Sequence, residues 1–529
     1  MARFTLKHHL VVLLVLLTGI YLFYGYADMF RTRPHSIHQW RQTDCLSFTK
    51  NYYEEGMHFF SPKIHWQGDG DGKAVSELPL MNYSVAMLWK MFGEHEYWYR
   101  FLELFIYTIA LLFLFAGIYE TSRSWFYAYC GTLLIVASPL LSYYSFNFLA
   151  DVPALSFAII GLSSFLLFMH RRKMLWFIIA IIAATLAALL KASAGSVLII
   201  IGVISLCDLF NIKTMRDQGL LFPKKIIPLI AFPLSAILIL AWYRWALAYN
   251  NNNSDGVFLM GFLPIWKMEP FKILETARFL VNDHLNTSFN KAALFLILGL
   301  FIWLLLNLKK LEMFVRIALI ISALFTSAFI LLFFKVFNVH DYYLITQIIF
   351  PIMIIIGFGS FMKSDYLKLN KKLNIIIVFF LAYSVYYSCA IFRLRTFEES
   401  KIAKTFLGVT NEEASYWRWF HWNYDNTIKP LEEITPYLRS LGIQRTDKVV
   451  SIPDQSFNIT LYLMDQKGFT GMGVNGYADT TFIKNDMAQG AKYLVINNPE
   501  IKKEKGVEPY LKNKIGQFKH VEIYKLEQP

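Results

Sequence analysis

Eleven stretches of this chain are apolar enough, for long enough, to leave water. Residues 101–119, FLELFIYTIALLFLFAGIY, are representative. The others lie at 9–27, 126–147, 152–169, 175–190, 194–210, 227–247, 291–307, 317–335, 343–361 and 375–393. Crossing the hydrocarbon core takes about 20 mostly apolar residues. The expected fold is therefore a polytopic α-helical membrane protein with about 11 transmembrane helices. Composition agrees: 56% of the 529 residues are hydrophobic, with 47 Phe and 30 Tyr, and a soluble chain would not keep so much apolar surface in water.

The net charge of +13 would suggest a nucleic-acid partner in a soluble protein. Here the positive-inside rule accounts for it. Alternate loops carry Arg3 and Lys7, then Arg123, then Arg171, Arg172 and Lys173, then Lys213, Arg216, Lys224 and Lys225, then Lys309, Lys310 and Arg316, then Lys363, Lys368, Lys371 and Lys372. The acids in these loops are Glu120, Asp217, Glu312 and Asp365. This places the N-terminus in the cytoplasm and, after eleven spans, the C-terminus outside. No small-residue cleavage site follows the first stretch, which reads as a retained signal anchor. Of Cys45, Cys130, Cys207 and Cys389, three fall in or at the end of apolar stretches, so no disulfide framework is expected.

Three regions face outward. Residues 28–100 include a glycine- and aspartate-rich loop, WQGDGDGK, and two amphipathic helices at 41–55 and 78–92 that are expected to lie along the interface. Residues 248–290 contain a further interfacial helix candidate in WKMEPFKILETARFL. Beyond 395 the composition changes. DKVVSIPDQ, NITLYLMD, AKYLVINN and KHVEIYKLE read as strands, with a helix near 429–441. The layout is a membrane module over 1–395, a juxtamembrane segment over 396–428 with Trp417, Trp419 and Trp422, and a small α/β domain over 429–529.

Ionisable residues gather at the outer ends of the spans. They are Asp44 and Glu77 in the first loop, Asp151 before the fourth span, Lys191 after the fifth, His284 before the eighth, and His340 and Asp341 before the tenth. Each has a plain alternative. Asp44 and Asp151 are placed to cap helices, Lys191 to snorkel to lipid phosphate, and Glu77 to sit solvated in a loop; His284 and His340 are ordinary surface residues by themselves. Their convergence on one face suggests a single outward cavity. Carboxylates can take a proton from an attacking hydroxyl, a lysine can hold a departing phosphate, and a Glu/His pair can hold a divalent metal. Aromatic residues near Asp44, Trp40 among them, suit a sugar face. Polar groups at one face and an odd span count favour an enzyme over a flippase or transporter, which would bury charge in mid-span within repeated topology.

Five stretches resemble the GT-C superfamily of integral-membrane glycosyltransferases, within it the relatives of protein O-mannosyltransferases and lipid A aminoarabinose transferases. They are WRQTDCLSFTKNYYEEG, SELPLMNYSVAMLWKMFG with YWYRFLELF, ADVPALSFAIIGLSSFLLF, ALLKASAG and HDYYLITQIIFPIMIIIGFG. The resemblance implies Asp44 as catalytic base and Asp151 as the family aspartate of the fourth span. It implies Lys191 and Tyr343 at a carrier-lipid phosphate and adds Arg100 as a family arginine; with it, His340, Asp341 and Trp40, placed by the residues themselves, are expected to line the substrate site. Glu77 and His284 would hold a divalent metal, although the sequence flanking both departs from the family pattern. The donor would be a polyprenyl-phosphate sugar, undecaprenyl phosphate in a bacterium, and no nucleotide sugar is expected. The acceptor would be a glycan, lipid or protein hydroxyl at the outer face of the inner membrane. A ligase or polymerase of lipid-linked glycans is the alternative enzyme class.

Overall fold

The computed structural model describes residues 5–68, 70–212, 221–222, 224–253, 258–259, 261–363, 371–397, 409–474 and 476–527. Arg3, Lys213, Arg216, Asp217, Asp365 and Lys368 of the loop-charge pattern lie outside the described residues, as do Asp69 of WQGDGDGK and residues 398–408 of the juxtamembrane segment.

Each apolar stretch falls on helix. Among the described residues, eight helices are long and apolar enough to cross a membrane: Leu6–Tyr24, Tyr97–Ser122, Asp151–Arg171, Ala192–Leu209, Ile226–Asn253, Met313–Leu332, Asp341–Phe361 and Lys372–Thr396. Pro270–Ser288 and Lys291–Leu306, bent by 96°, make a ninth if counted as one span. Trp125–Val136 and Met174–Leu190 are shorter apolar helices. The protein is an integral membrane protein. Ile226–Asn253 turns Ile230, Ile237 and Leu240 outward, as lipid permits, whereas Asp151–Arg171 is buried along almost its whole length.

The stretch 126–147 is not one straight span. Its helix stops at Val136 and restarts at Pro139, because Ser138 Oγ accepts from Leu141 N–H and proline starts a first turn readily. The chain leaves helix again after Tyr144. There Glu103 accepts the backbone N–H groups of Asn147 and Phe148 (3.0 and 3.1 Å). Phe148 adopts a φ of +64°, so this turn reverses the chain into Asp151–Arg171.

Asp151–Arg171 (21 residues) and Met174–Leu190 (17 residues) form a helical hairpin. Gly161 lets the two backbones close: a Cβ there would lie 3.1 Å from Ala184 N and 3.2 Å from Ala180 O. Arms of similar length return Lys191 to the level of Asp151. The hairpin turn lies at the other end of the bundle, where Arg123 and Arg171 both pair with Glu120 (3.2 and 3.3 Å).

The 28–100 region contains the two expected helices, Gln39–Glu54 and Leu80–Phe92. Gln39–Glu54 does not lie along an interface with one wet face. From Gln39 to Tyr52 every residue but Trp40 is buried, because Leu80–Phe92 covers one side and the tail the other. The tail carries a five-stranded sheet in the order β2-β1-β3-β5-β4: β1 Lys448–Ile452, β2 Gly468–Thr470, β3 Ala491–Ile496, β4 Lys514–Phe518 and β5 Val521–Lys525. β1 runs parallel to β2 and β3, and β5 antiparallel to β3 and β4. NITLYLMD is not a strand; Ile459–Leu463 is a short helix. Asp454 fixes it by accepting from Ser456 and Thr460 N–H and from both hydroxyls (2.7–2.9 Å). Short apolar runs fit buried helix and strand alike, and here Ser456 and Asp454 accept the first-turn N–H groups of Ile459 and Thr460.

Candidate active site

Four charged side chains from three separate regions alternate in sign at one end of the bundle. Arg41 Nη2 donates to both oxygens of Glu77 (2.5 and 2.6 Å). Glu77 Oε1 lies 3.7 Å from Lys191 Nζ, and Lys191 donates to Asp151 Oδ1 (2.5 Å). The backbone holds Glu77 in place. Leu78 N–H donates to Leu189 O (3.2 Å), and Asn250 binds both N–H and C=O of Val75 (2.8 Å each). Burial would raise the Glu77 carboxyl, but Arg41 and Lys191 hold it well below the usual carboxylate range. The Lys191 ammonium also lies over the rings of Tyr342 and Tyr343, 5.3 and 5.0 Å from their centroids.

This geometry bears on the plain alternatives. Asp44 sits inside Gln39–Glu54 and does not cap it. Asp151 has lysine rather than a backbone amide as its partner, Glu77 is not solvated, and Lys191 reaches inward to two carboxylates.

Asp44 is fully buried, on the same helix as Arg41 and one turn further on. Its Oδ1 accepts from Asn458 Nδ2 of the tail (2.7 Å). Among the described residues its Oδ2 is buried with no hydrogen-bond partner, and so is Asp151 Oδ2. Each is an acceptor with capacity unspent. Burial pushes the Asp44 carboxyl up to about 7, against the downward pull of Arg41 and of the Asn458 amide.

A second cluster adjoins the first through Tyr342. Asp341 accepts from Tyr144 Oη (2.5 Å) and pairs with Arg395 (3.3 Å) and His38 Nε2 (3.2 Å). The Trp40 and His340 rings lie 5.4 Å apart, and the His38 ring sits 5.1 Å from Tyr342. The structure thus brings together Asp44, Glu77, Asp151, Lys191, Tyr343, Trp40, His340 and Asp341.

Two expected members stand elsewhere. Arg100 is buried and donates to the backbone carbonyls of Phe146, Phe30 and Thr32 (3.1, 3.3 and 2.5 Å), clamping the start of the 28–100 region to the 146–150 turn. It does not reach the ion-pair chain. His284 donates from Nε2 to Phe337 O (2.8 Å). Glu77 is already satisfied by two cations, and no group of three or more His, Cys, Asp or Glu side chains suited to a metal occurs among the described residues. The donor set expected for a divalent ion therefore does not fit one.

Tyr342, Arg395 and Asn458, and with them Arg41 and His38 of the stretch IHQWRQTDC, join this cluster with no role assigned to them from sequence. Arg41 precedes Asp44 by three residues, a same-face spacing on a helix, and that was the available signal. Asn458 gave none. A cavity of about 560 Å³ opens between the 28–100 region and the tail, lined by Arg31, Arg33, Lys50, Glu96, Tyr462 and Asp465 among others. Asp44 does not line it.

No family model matches this sequence, and no curated protein matches it. Solved structures do match. ArnT from Cupriavidus metallidurans in the apo state gives a TM-score of 0.56 at 11% identity over 97% of this chain and 98% of ArnT. The same protein bound to undecaprenyl phosphate gives 0.56 at 12% identity over 97% of each chain. The Archaeoglobus fulgidus oligosaccharyltransferase in its apo form gives 0.52 at 13% identity, over 90% of this chain and 69% of that one. The mycobacterial arabinofuranosyltransferase AftD gives 0.52 at 11% identity, over 100% of this chain and 40% of AftD. These proteins are GT-C glycosyltransferases. This chain, membrane bundle and small sheet together, shares its fold with these glycosyltransferases.

Proposed function

We propose that this protein is a glycosyltransferase that moves a sugar from a polyprenyl phosphate to a hydroxyl acceptor at the outer face of the cytoplasmic membrane. One observation carries this reading: a buried, half-satisfied carboxylate, Asp44, lies beside the chain Arg41–Glu77–Lys191–Asp151 at one end of the bundle. The undecaprenyl phosphate bound by a protein of the same fold supports the donor class. Residues 1–395 act as the catalytic module, with the N-terminus cytoplasmic and the 429–529 region outside.

The acceptor hydroxyl gives its proton to Asp44 as its oxygen attacks the anomeric carbon. The bond from that carbon to the lipid phosphate breaks, and its electron pair leaves with the phosphate. Attack opposite the leaving group inverts the anomeric centre. Lys191 neutralises the departing phosphate, while Tyr342 and Tyr343 wall its ammonium from water and strengthen the attraction. Asp151 and Glu77 hold Lys191 charged and in place. Trp40 and His340 offer ring faces to the sugar. No step needs a metal.

The test is release of undecaprenyl phosphate from a panel of undecaprenyl-phosphate hexoses and pentoses, supplied with membrane glycan and lipid extract. Release of nucleotide from nucleotide sugars, with no release from the lipid-linked panel, would overturn the reading.

Acid should silence the enzyme early. The base works ionised, and its carboxyl stands near 7. Initial rates are expected to climb through neutrality and to fall about tenfold per pH unit below it. A rate that is flat down to about pH 5 would contradict Asp44 as the base.

A further inference from the structure

Asn458 belongs to the tail, 414 residues from Asp44 in sequence, yet it is fully buried against it. Its orientation is fixed by two backbone donors. Oδ1 accepts the N–H groups of His65 and Trp66 (3.2 and 3.1 Å), and Ser47 Oγ lies 3.2 Å from the same oxygen. The amide nitrogen must therefore face Asp44. Behind it, the Asp454 bonds to Ser456 and Thr460 hold the start of the Ile459–Leu463 helix. Backbone bonds join the same loop to the tail sheet: Gln67 N–H to Gly468 O (2.8 Å) and Gly468 N–H to His65 O (3.2 Å).

We propose that Asn458 is a positioning residue for Asp44, so that the tail completes the catalytic site instead of merely standing beside it. The inference rests on Asp44 as the general base. The Asn458 N–H occupies Oδ1, which leaves Oδ2 as the oxygen that takes the acceptor's proton. It also fixes the carboxylate plane, because Asp44 has no other hydrogen-bond partner among the described residues. The donated hydrogen bond favours the ionised form. The charged groups facing Asp44 besides it are Arg41 of the same helix, Asp454 of the tail and Glu77 of the first loop.

Two variants of the full-length protein test this. Asn458→Ala removes the amide. Asn458→Asp keeps an oxygen for the His65 and Trp66 amides, so it retains the docking bonds while setting a carboxylate against Asp44. Gln466→Ala serves as the control. Gln466 is buried in the same region and bonds the carbonyls of Gln444 and Asp447 (2.6 and 2.5 Å), with no bond to Asp44. The readout is the pH profile of undecaprenyl phosphate release from the lipid-linked sugar panel. Asn458→Ala is expected to shift the acid limb upward by about half a unit or more and to lower the plateau rate roughly tenfold or more. Asn458→Asp should shift it further, since two facing carboxylates share a proton. Gln466→Ala should lose thermal stability with its limb unmoved. Acid limbs at the wild-type position in both Asn458 variants would overturn the proposal while leaving the function intact. Undiminished turnover in Asp44→Asn would overturn the base assignment, and this inference with it.

Discussion

Asp44→Asn is expected to abolish sugar transfer while leaving the protein folded. The loss should be on the order of a thousandfold in initial rate, about 4 kcal/mol of barrier, which is what removing a positioned general base costs. The side chain keeps its shape, and its Oδ1 can still accept from Asn458. Stability should hold or rise. Burial raises the Asp44 pKa in the folded state, so ionising the carboxyl opposes folding as pH climbs above its unfolded value. The asparagine carries no such cost at neutral pH. Rate and thermal midpoint, measured on the same detergent-purified sample, separate the two effects. A variant that turns over at the wild-type rate removes Asp44 from the proton transfer.

Lys191→Met should be costly twice over. Lys191 joins two buried carboxylates, Asp151 being fully buried and Glu77 nearly so. Methionine fills the space of the lysine stem but leaves Asp151 without its cation. Breaking a buried pair from one side costs about 3–5 kcal/mol. The thermal midpoint should fall visibly, and transfer should fall by a hundredfold or more as the leaving phosphate loses its counter-charge. The double variant Lys191→Met, Asp151→Asn removes the stranded charge. It should recover most of the stability and none of the activity. Recovery of both would make Lys191 a structural tether with no part in leaving-group departure.

Parts of this site are written in local sequence. Asp151 and Lys191 flank two apolar runs of similar length joined by Arg172 and Lys173, so a helical hairpin must bring them to one level. The basic loops mark the opposite end. Arg41 and Asp44, three residues apart on one helix, were likewise within reach. Glu77 is different. Its place depends on Leu78 bonding Leu189 and on Asn250 gripping Val75, contacts across more than a hundred residues that leave no spacing to detect. Asn458 is further still, and lay hidden inside a run read as a strand. Arg100 entered through the family resemblance alone, whereas here backbone carbonyls satisfy it. The Glu77 and His284 pair failed because neither position reveals that Arg41, Lys191 and Phe337 already occupy them.

The most direct test is a cryo-electron microscopy structure of the protein with undecaprenyl phosphate. The lipid phosphate is expected within about 3 Å of Lys191 Nζ, between the Tyr342 and Tyr343 rings, with the Asp44 carboxylate opening onto the same space. Phosphate density at the basic end near Arg123 and Arg171, or a wall of protein separating Asp44 from Lys191, would contradict the proposed chemistry.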